Sequence, residues 1–137
     1  MKTLLVTLIC MASCMPLIAQ NKALTGVWAI TDLSYVSEQG VQKMMEAEIK
    51  SGTAITDFYI MEEGLFRQTS NMSGSGTMDT YEGNWKTVNG KLIINLMING
   101  QKSPDLEYLY KLEDSVLTLE RSNPQGTLKI VMLFKKK

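Results

Sequence analysis

The stretch ALTGVW, residues 23–28, opens the part of the chain that has the composition of a folded domain. A glycine stands two residues before a tryptophan, and Trp28 and Ile30 alternate with smaller residues at the start of the run GVWAITDLSYV, residues 26–36. Alternation with a period of two is typical of a strand that has one buried face. The sequence therefore predicts a first strand over residues 26–36, with a large aromatic side chain near its beginning.

Further strands follow this one, separated by short turns. The strongest turn signals are Asn89-Gly90 and Asn99-Gly100, because Asn-Gly favours the two-residue turns of β-hairpins. The remaining predicted strands span residues 54–61, 65–70, 77–88, 91–98, 106–112, 115–121 and 127–135. Since each strand follows its predecessor after a short connection, the sequence predicts eight antiparallel strands in sequential order.

Residues 37–52 break this pattern. The apolar residues at helical spacing in this segment are Val41, Met44, Met45 and Ile49. Ser37 is suited to cap the first turn and Gly52 to follow the last one. Gly40 weakens the first turn, so we expect the helix to begin late. The segment predicts one amphipathic helix between the first two strands.

The later strands carry apolar residues on one face and charges on the other. The apolar faces are Leu92, Ile94, Leu96 and Ile98; Leu106, Tyr108, Tyr110 and Leu112; and Leu128, Ile130, Met132 and Phe134. The opposite faces carry Glu107, Lys111, Lys129 and Lys135. A membrane-spanning barrel would have an apolar exterior instead. Closure removes exposed strand edges. We therefore predict an all-β fold, an eight-stranded antiparallel up-and-down barrel with a solvated exterior.

Residues 1–19 have the pattern of a signal peptide. Lys2 supplies a positive charge before an apolar segment, and Ala19 is a small residue at the expected cleavage site. The segment is too short for a transmembrane helix, so we expect no membrane span. Residues 20–137 would then form one exported domain, periplasmic or secreted.

Lipid anchoring is the alternative to this cleavage. Met11-Ala12-Ser13-Cys14 resembles a lipoprotein box, which would attach a lipid to Cys14. Under cleavage after Ala19, both cysteines are lost with the signal. The exported domain would then contain no disulfide and would depend on a hydrophobic core.

The composition argues against several classes of function. The chain contains no histidine, which removes Ser-His-Asp and Cys-His catalysis and most transition-metal sites. Basic and acidic residues balance at 14 each, so we expect no nucleic-acid partner, and we interpret the basic tail 135–137 as solubilising. The adjacent acids at 62–63 and 113–114 fall in turns, where burial would not shift their pKa values. We expect no enzyme, no metal and no cofactor.

Three short motifs give the chain a family resemblance. They are LTGVW at 24–28, YEGNW at 81–85 and LTLER at 117–121. With eight antiparallel strands behind them, they resemble the lipocalin or calycin superfamily. More narrowly, the chain is similar to the small exported lipocalin-like domains of Gram-negative bacteria, over nearly all of residues 20–137.

In that family the tryptophan closes the narrow end of the barrel and an arginine lies across it. The resemblance implies that Trp28 has this closing role and that Arg121 lies over it. Gly26, without a Cβ, would let the strand bend so that the indole fits under the sheet. The arginine of the best-studied lipocalins follows the last strand, whereas Arg121 ends the seventh, and the family's Thr-Asp-Tyr motif is missing. The helix position is also similar to the lid of fatty-acid-binding proteins, so the branch within the superfamily stays open.

Candidates to line a ligand cavity are Met44, Met45, Tyr81, Trp85, Tyr108 and Tyr110. The two methionines would form the adaptable apolar face of a helical lid. Tyr108 and Tyr110 carry hydroxyls that need partners if buried, which a ligand or neighbouring groups could supply. Each of the six could equally be filler of the core.

Two functions remain. The first is a non-enzymatic exported protein that holds a small apolar or amphipathic ligand, since an eight-stranded barrel is wide enough for one. The alternative is a packed barrel that acts as an interaction or inhibitor module through its loops. Gly83, with Thr77 and Thr87 in phase with it, would leave room inside the barrel, which favours the binding protein.

Overall fold

The structure is a computed structural model that describes residues 18–19 and 21–137. Its strands are β1 (Ile18–Ala19), β2 (Gly26–Ser37), β3 (Gly40–Lys43), β4 (Thr56–Ile60), β5 (Leu65–Ser70), β6 (Asp79–Val88), β7 (Lys91–Ile98), β8 (Gln101–Lys102), β9 (Leu106–Glu113), β10 (Val116–Ser122) and β11 (Leu128–Lys136). One α-helix, α1, spans Glu46–Ser51, and 3₁₀ turns span Lys22–Leu24 and Glu62–Gly64. Cys14, the site of the alternative lipid attachment, and nearly all of the predicted signal lie outside the described residues.

The eight long strands close into a barrel, as predicted. Their order is β6-β5-β4-β2-β11-β10-β9-β7, and β7 pairs back with β6. Every pairing is antiparallel. The short strands β1, β3 and β8 add to β6, β2 and β7. The prediction of an eight-stranded antiparallel barrel, with one helix between its first two strands, is confirmed.

Aromatic side chains fill one half of the barrel. The Phe58 ring stacks on Phe134 with centroids 4.6 Å apart and meets the edge of Phe66 at 5.1 Å. The core also contains Leu24, Trp28, Ile60, Trp85, Leu92, Ile94, Leu117 and Leu119, each at most 3% exposed. Among them Leu24, Trp28 and Ile60 lie at the end of the barrel where β2 begins and β11 ends, which we call the closed end. The other end is the open end.

A bulge in β2 keeps both halves of that strand in contact with the interior. The register with β11 shifts so that Phe134 pairs with Ile30 while Leu133 pairs with Asp32. Thr31, the extra residue, donates its hydroxyl to the Leu133 carbonyl at 3.2 Å. An added residue reverses the alternation of faces. As a result Leu33 packs against the core although it is an odd number of residues from Trp28.

The predicted helix over residues 37–52 is wrong in its first half. Gly40–Lys43 form β3, which pairs with the outer part of β2, and Val41 is 65% exposed. β4 pairs with β2 only as far as Ala29, so the later part of that edge is free to bond to β3. Met45 then has a left-handed φ of 50°, which prevents a continuous helix, and only six residues follow as α1.

The closed end is sealed around Trp28, which is 1% exposed. Its indole Nε1 donates to the Leu24 carbonyl at 2.8 Å, and so ties the 3₁₀ turn 22–24 under the barrel. A cation does lie over this ring, but it is Lys136, whose Nζ is 5.6 Å from the ring centroid. Lys136 pairs with Trp28 across β11 and β2.

The predicted contact of Arg121 with Trp28 is therefore wrong. Arg121 pairs with Ile130, near the open end of β11, whereas the register opposite Trp28 belongs to Lys136. A Cβ at Gly26 would lie 2.6 Å from the Cε of Lys136, but that atom is near the flexible end of its side chain and can move aside, so the backbone conformation is what requires the glycine. Gly26 has a φ of +141°, a conformation that L side chains rarely adopt. The interpretation of residues 135–137 as a solubilising tail missed this contact.

A double-mutant cycle tests which cation contacts Trp28. We expect Trp28→Phe and Lys136→Gln to be coupled by about 0.5–1 kcal/mol in free energy of unfolding, the range of an exposed cation–π contact. The cycle of Trp28→Phe with Arg121→Gln is the control and should give no coupling beyond error. Both are measured by urea denaturation, and coupling to Arg121 alone would contradict the assignment.

Gly83 marks the closest approach of two barrel strands. A methyl group at this position would overlap the carbonyl oxygen of Asn95 on β7. The space beside Gly83 is therefore filled by backbone, and the prediction that it leaves room in the interior is wrong. Thr77 precedes β6 and is exposed, while Thr87 is buried near the closed end.

Gly83→Ala should destabilise the barrel by about 3 kcal/mol or more, because neither backbone can move without breaking the ladder. Gly100→Ala is the matched control, since a Cβ there meets nothing within 4 Å. Its φ of +77° should cost only about 1–2 kcal/mol. Urea denaturation of both variants compares the two costs, and equal costs would contradict the close approach.

Candidate functional site

The open end differs from the closed end in how well its inward side chains are covered. Several apolar residues pack against the core but keep part of their surface exposed. Those on the half of the barrel towards the open end are Leu33, Met72, Tyr81, Leu106 and Met132. A depression with apolar walls and a few polar groups is typical of small-molecule sites. The open end is therefore the candidate site.

One wall of this site carries a polar pair. The hydroxyls of Thr56 and Ser70 lie 2.7 Å apart across β4 and β5, and both residues are at least nine-tenths buried. Thr56 also donates to the sulfur of Met72 at 3.0 Å, while the Ser70 hydroxyl accepts from the Met72 amide at 3.1 Å. These bonds satisfy the polar groups within the protein and fix Met72 against the wall.

A second wall carries Tyr108 and Arg121. Tyr108 is 8% exposed and belongs to the core, and it lines a depression together with Arg121, whose positive charge lowers the pKa of the phenol. Arg121 itself is exposed near the end of β10. Burial raises the pKa of Tyr108, and this outweighs the opposite effect of the arginine. The phenol is therefore a neutral partner for the guanidinium at neutral pH.

A pocket adjoins this arginine. It has a volume of about 320 Å³ and is lined by Arg121, Ser122, Asn123, Pro124, Leu128 and Ile130. Ile130 shares a face of β11 with Met132 and Phe134, because these three residues pair with Arg121, Leu119 and Leu117 of β10. The pocket thus begins at the charged rim and lies above the apolar interior.

The structure separates the six predicted ligand-lining residues. Tyr81 and Tyr108 lie on the walls of the open half. Trp85 is 3% exposed near the closed end, and its Nε1 donates to the Met61 carbonyl at 2.7 Å. Tyr110 also points towards the closed end, where its hydroxyl accepts from the Asn21 amide at 3.2 Å. At the closed end, the hydroxyl of Tyr110 and the indole of Trp85 therefore both have hydrogen-bond partners within the chain itself.

The methionines do not form the predicted helical lid. Met44 is half-buried and precedes α1, with its amide bonded to the Leu33 carbonyl at 2.9 Å. Met45 is 37% exposed. Ile49 of α1 lines a pocket of about 250 Å³ together with Ala29 and Ile30 of β2 and Thr56 and Asp57 of β4. The helix therefore packs beside the wall formed by β2 and β4, and the two methionines precede it.

Residues that the sequence analysis missed complete the open end. Leu33, Met72 and Ile130 were not among the candidates. Leu33 was hidden by the bulge at Thr31, and Met72 lies in a connection rather than in a strand. Ile130 was assigned to an inward face, and its position next to Arg121 follows only from the pairing of β10 with β11.

Comparison with solved structures supports the fold. A lipocalin-like protein from Bacteroides uniformis ATCC 8492 is similar with a TM-score of 0.54 and 18% identity, covering 83% of this chain and 98% of that one. A protein from Bacteroides eggerthii DSM 20697 gives 0.50 and 18%, covering 82% and 98%. The fluorescent protein UnaG gives 0.43 and 10%, covering 84% and 98%. The two Bacteroides structures, together with the closed barrel, show that the chain has a lipocalin-like fold.

Comparisons of sequence alone give no relative: no family model and no curated protein matches the chain. Among the described residues, none of the helices is both long and apolar enough to cross a bilayer.

The buried phenol makes stability depend on pH. Because the folded state holds the Tyr108 proton more tightly than the unfolded chain, the stabilisation is complete below a pH of about 10 and is lost as pH rises through the raised pKa. We expect Tyr108→Phe to flatten the fall in free energy of unfolding above that pH. Tyr59→Phe, on the outer face, is the control, and parallel curves for wild type and Tyr108→Phe would contradict the prediction.

Proposed function

We propose that this protein binds a small apolar or amphipathic molecule at the open end of its barrel, without catalysing a reaction. The observation that carries the proposal is the contrast between the two halves. The stacked aromatic side chains lie in the closed half, whereas five of the seven inward apolar residues that remain partly exposed lie in the open half and only Tyr110 and Leu112 lie towards the closed end. Exposing such surface to water costs about 25 cal/mol per Å², which an apolar ligand would recover.

The composition supports a binding role over a catalytic one. Without histidine, acid–base chemistry would need paired carboxylates or a tuned lysine. Asp57 is the buried carboxylate of the barrel wall, and it is held by Lys137 at 2.8 Å on the outer face, away from the open end. The proposal includes export to the periplasm or beyond, for which the signal pattern of residues 1–19 is the support.

A packed interaction module remains the second candidate. Exposed apolar side chains on connections and rims favour it, among them Val41 at 65% and Met78 at 50%. Such residues contribute to contacts between proteins when they form a patch. The two functions differ in whether the barrel takes up a small molecule at all.

Uptake of the neutral apolar dye Nile red tests the proposal. We expect the wild-type protein to bind it and Ile130→Asp to weaken binding about tenfold or more, because a carboxylate would face the apolar pocket. Leu109→Asp is the matched control, since Leu109 is 56% exposed and lies out of phase with inward Tyr108 and Tyr110. Thermal denaturation verifies that both variants fold. No uptake by the wild type would favour the interaction module.

A further inference from the structure

We propose that the molecule bound at the open end carries a carboxylate, and that Arg121 is the group that selects it. This inference rests on the proposed function and adds a ligand class to it. An apolar body would lie against the inward residues of β10 and β11, and its anionic end would meet the guanidinium at the rim.

The charge of Arg121 is not compensated within the described part of the chain. The ion pairs there use Lys43, Lys50, Arg67, Lys91, Lys111, Lys129 and Lys137. The neighbouring acids are already engaged, Glu120 with Lys129 and Glu107 with Lys91. The partner of Arg121 is the neutral phenol of Tyr108. The guanidinium therefore has donors available for an anion.

The surroundings of Arg121 fit an amphiphile better than a free inorganic anion. On its pocket side lie Pro124, Leu128 and Ile130, and the deeper positions on that face of β11 are Met132 and Phe134. An inorganic anion would leave these apolar side chains uncovered. A chain with one carboxylate would cover them and reach the arginine at the same time.

Guanidinium geometry favours a carboxylate. The planar fork presents paired N–H donors that match the two carboxylate oxygens, and such charge-assisted bonds are stronger than neutral ones. Tyr108 lies beside the guanidinium, since the two residues line one depression, and this buried neighbour limits the freedom that binding would have to remove. Tyr108 is thus a positioning residue in this proposal, while Arg121 makes the contact.

Displacement of bound Nile red by decanoate and by decanol at pH 8 tests the inference. The two probes share a ten-carbon chain and differ in the charged end. We expect Arg121→Gln to weaken decanoate binding about tenfold or more while decanol binding changes less than about twofold. Arg121→Lys should retain part of the decanoate affinity, since it keeps the charge and loses the fork. Lys129→Gln, on the outer face of the adjacent strand, is the charge-matched control and should change neither.

The outcomes separate this inference from the proposed function. If the wild type takes up Nile red and decanol but Arg121→Gln leaves decanoate affinity unchanged, the inference is overturned and the binding role stands. An equal loss for both probes would show that Arg121 only shapes the pocket, which also overturns it. Absence of Nile red uptake by the wild type would contradict both the proposed binding function and this inference. If Arg121→Gln fails to fold, the ratio of decanoate affinity to decanol affinity is measured in Arg121→Lys instead. A ratio equal to that of the wild type overturns the inference.

Discussion

Closure of the strand ladder is the constraint on which the rest of this structure depends. Because β6 pairs with both β5 and β7, no long strand of the barrel keeps an open edge. Closure forces neighbouring strands to tilt and to approach closely, and at Gly83 the backbone of β7 comes within the space of a side chain. The size of the interior, and so the division into a packed and an open half, follows from this geometry.

The two ends of the barrel use their cations differently. Lys136 lies over a buried indole and completes the seal at the closed end. Arg121 lies at the rim beside a buried phenol and above apolar residues. One cation therefore satisfies an aromatic face of the protein itself, and the other remains available to a molecule from outside.

Local chemistry was sufficient to predict the barrel. Turn dipeptides such as Asn89-Gly90 and alternating faces such as that of β7 act over a few residues, and the strands follow them closely. The segment before α1 was misjudged because its apolar spacing also fits an exposed hairpin. The segment forms β3 because β4 leaves the later edge of β2 unpaired. The availability of that edge is a tertiary feature.

The candidate site was predicted less well, because it depends on register between distant strands. Which cation lies opposite Trp28 is decided by the pairing of β2 with β11, and the bulge at Thr31 shifts that pairing. The family resemblance suggested an arginine, and a lysine holds the position. Tyr81 and Tyr108 were placed on inward faces correctly. The height of each side chain between the two ends of the barrel could not be predicted, because it depends on the pairing of all eight strands.

The pairing of β2 with β11 also governs when the molecule can fold. The first and last long strands are neighbours, so the ladder cannot close before residues 128–136 have been synthesised. Contacts of such long sequence separation form slowly, since the chain must lose much entropy before they are made. The barrel of a nascent chain therefore cannot close until residues 128–136 have left the ribosome. With the export that we propose, that delay would keep the barrel open while the chain is threaded through a membrane channel.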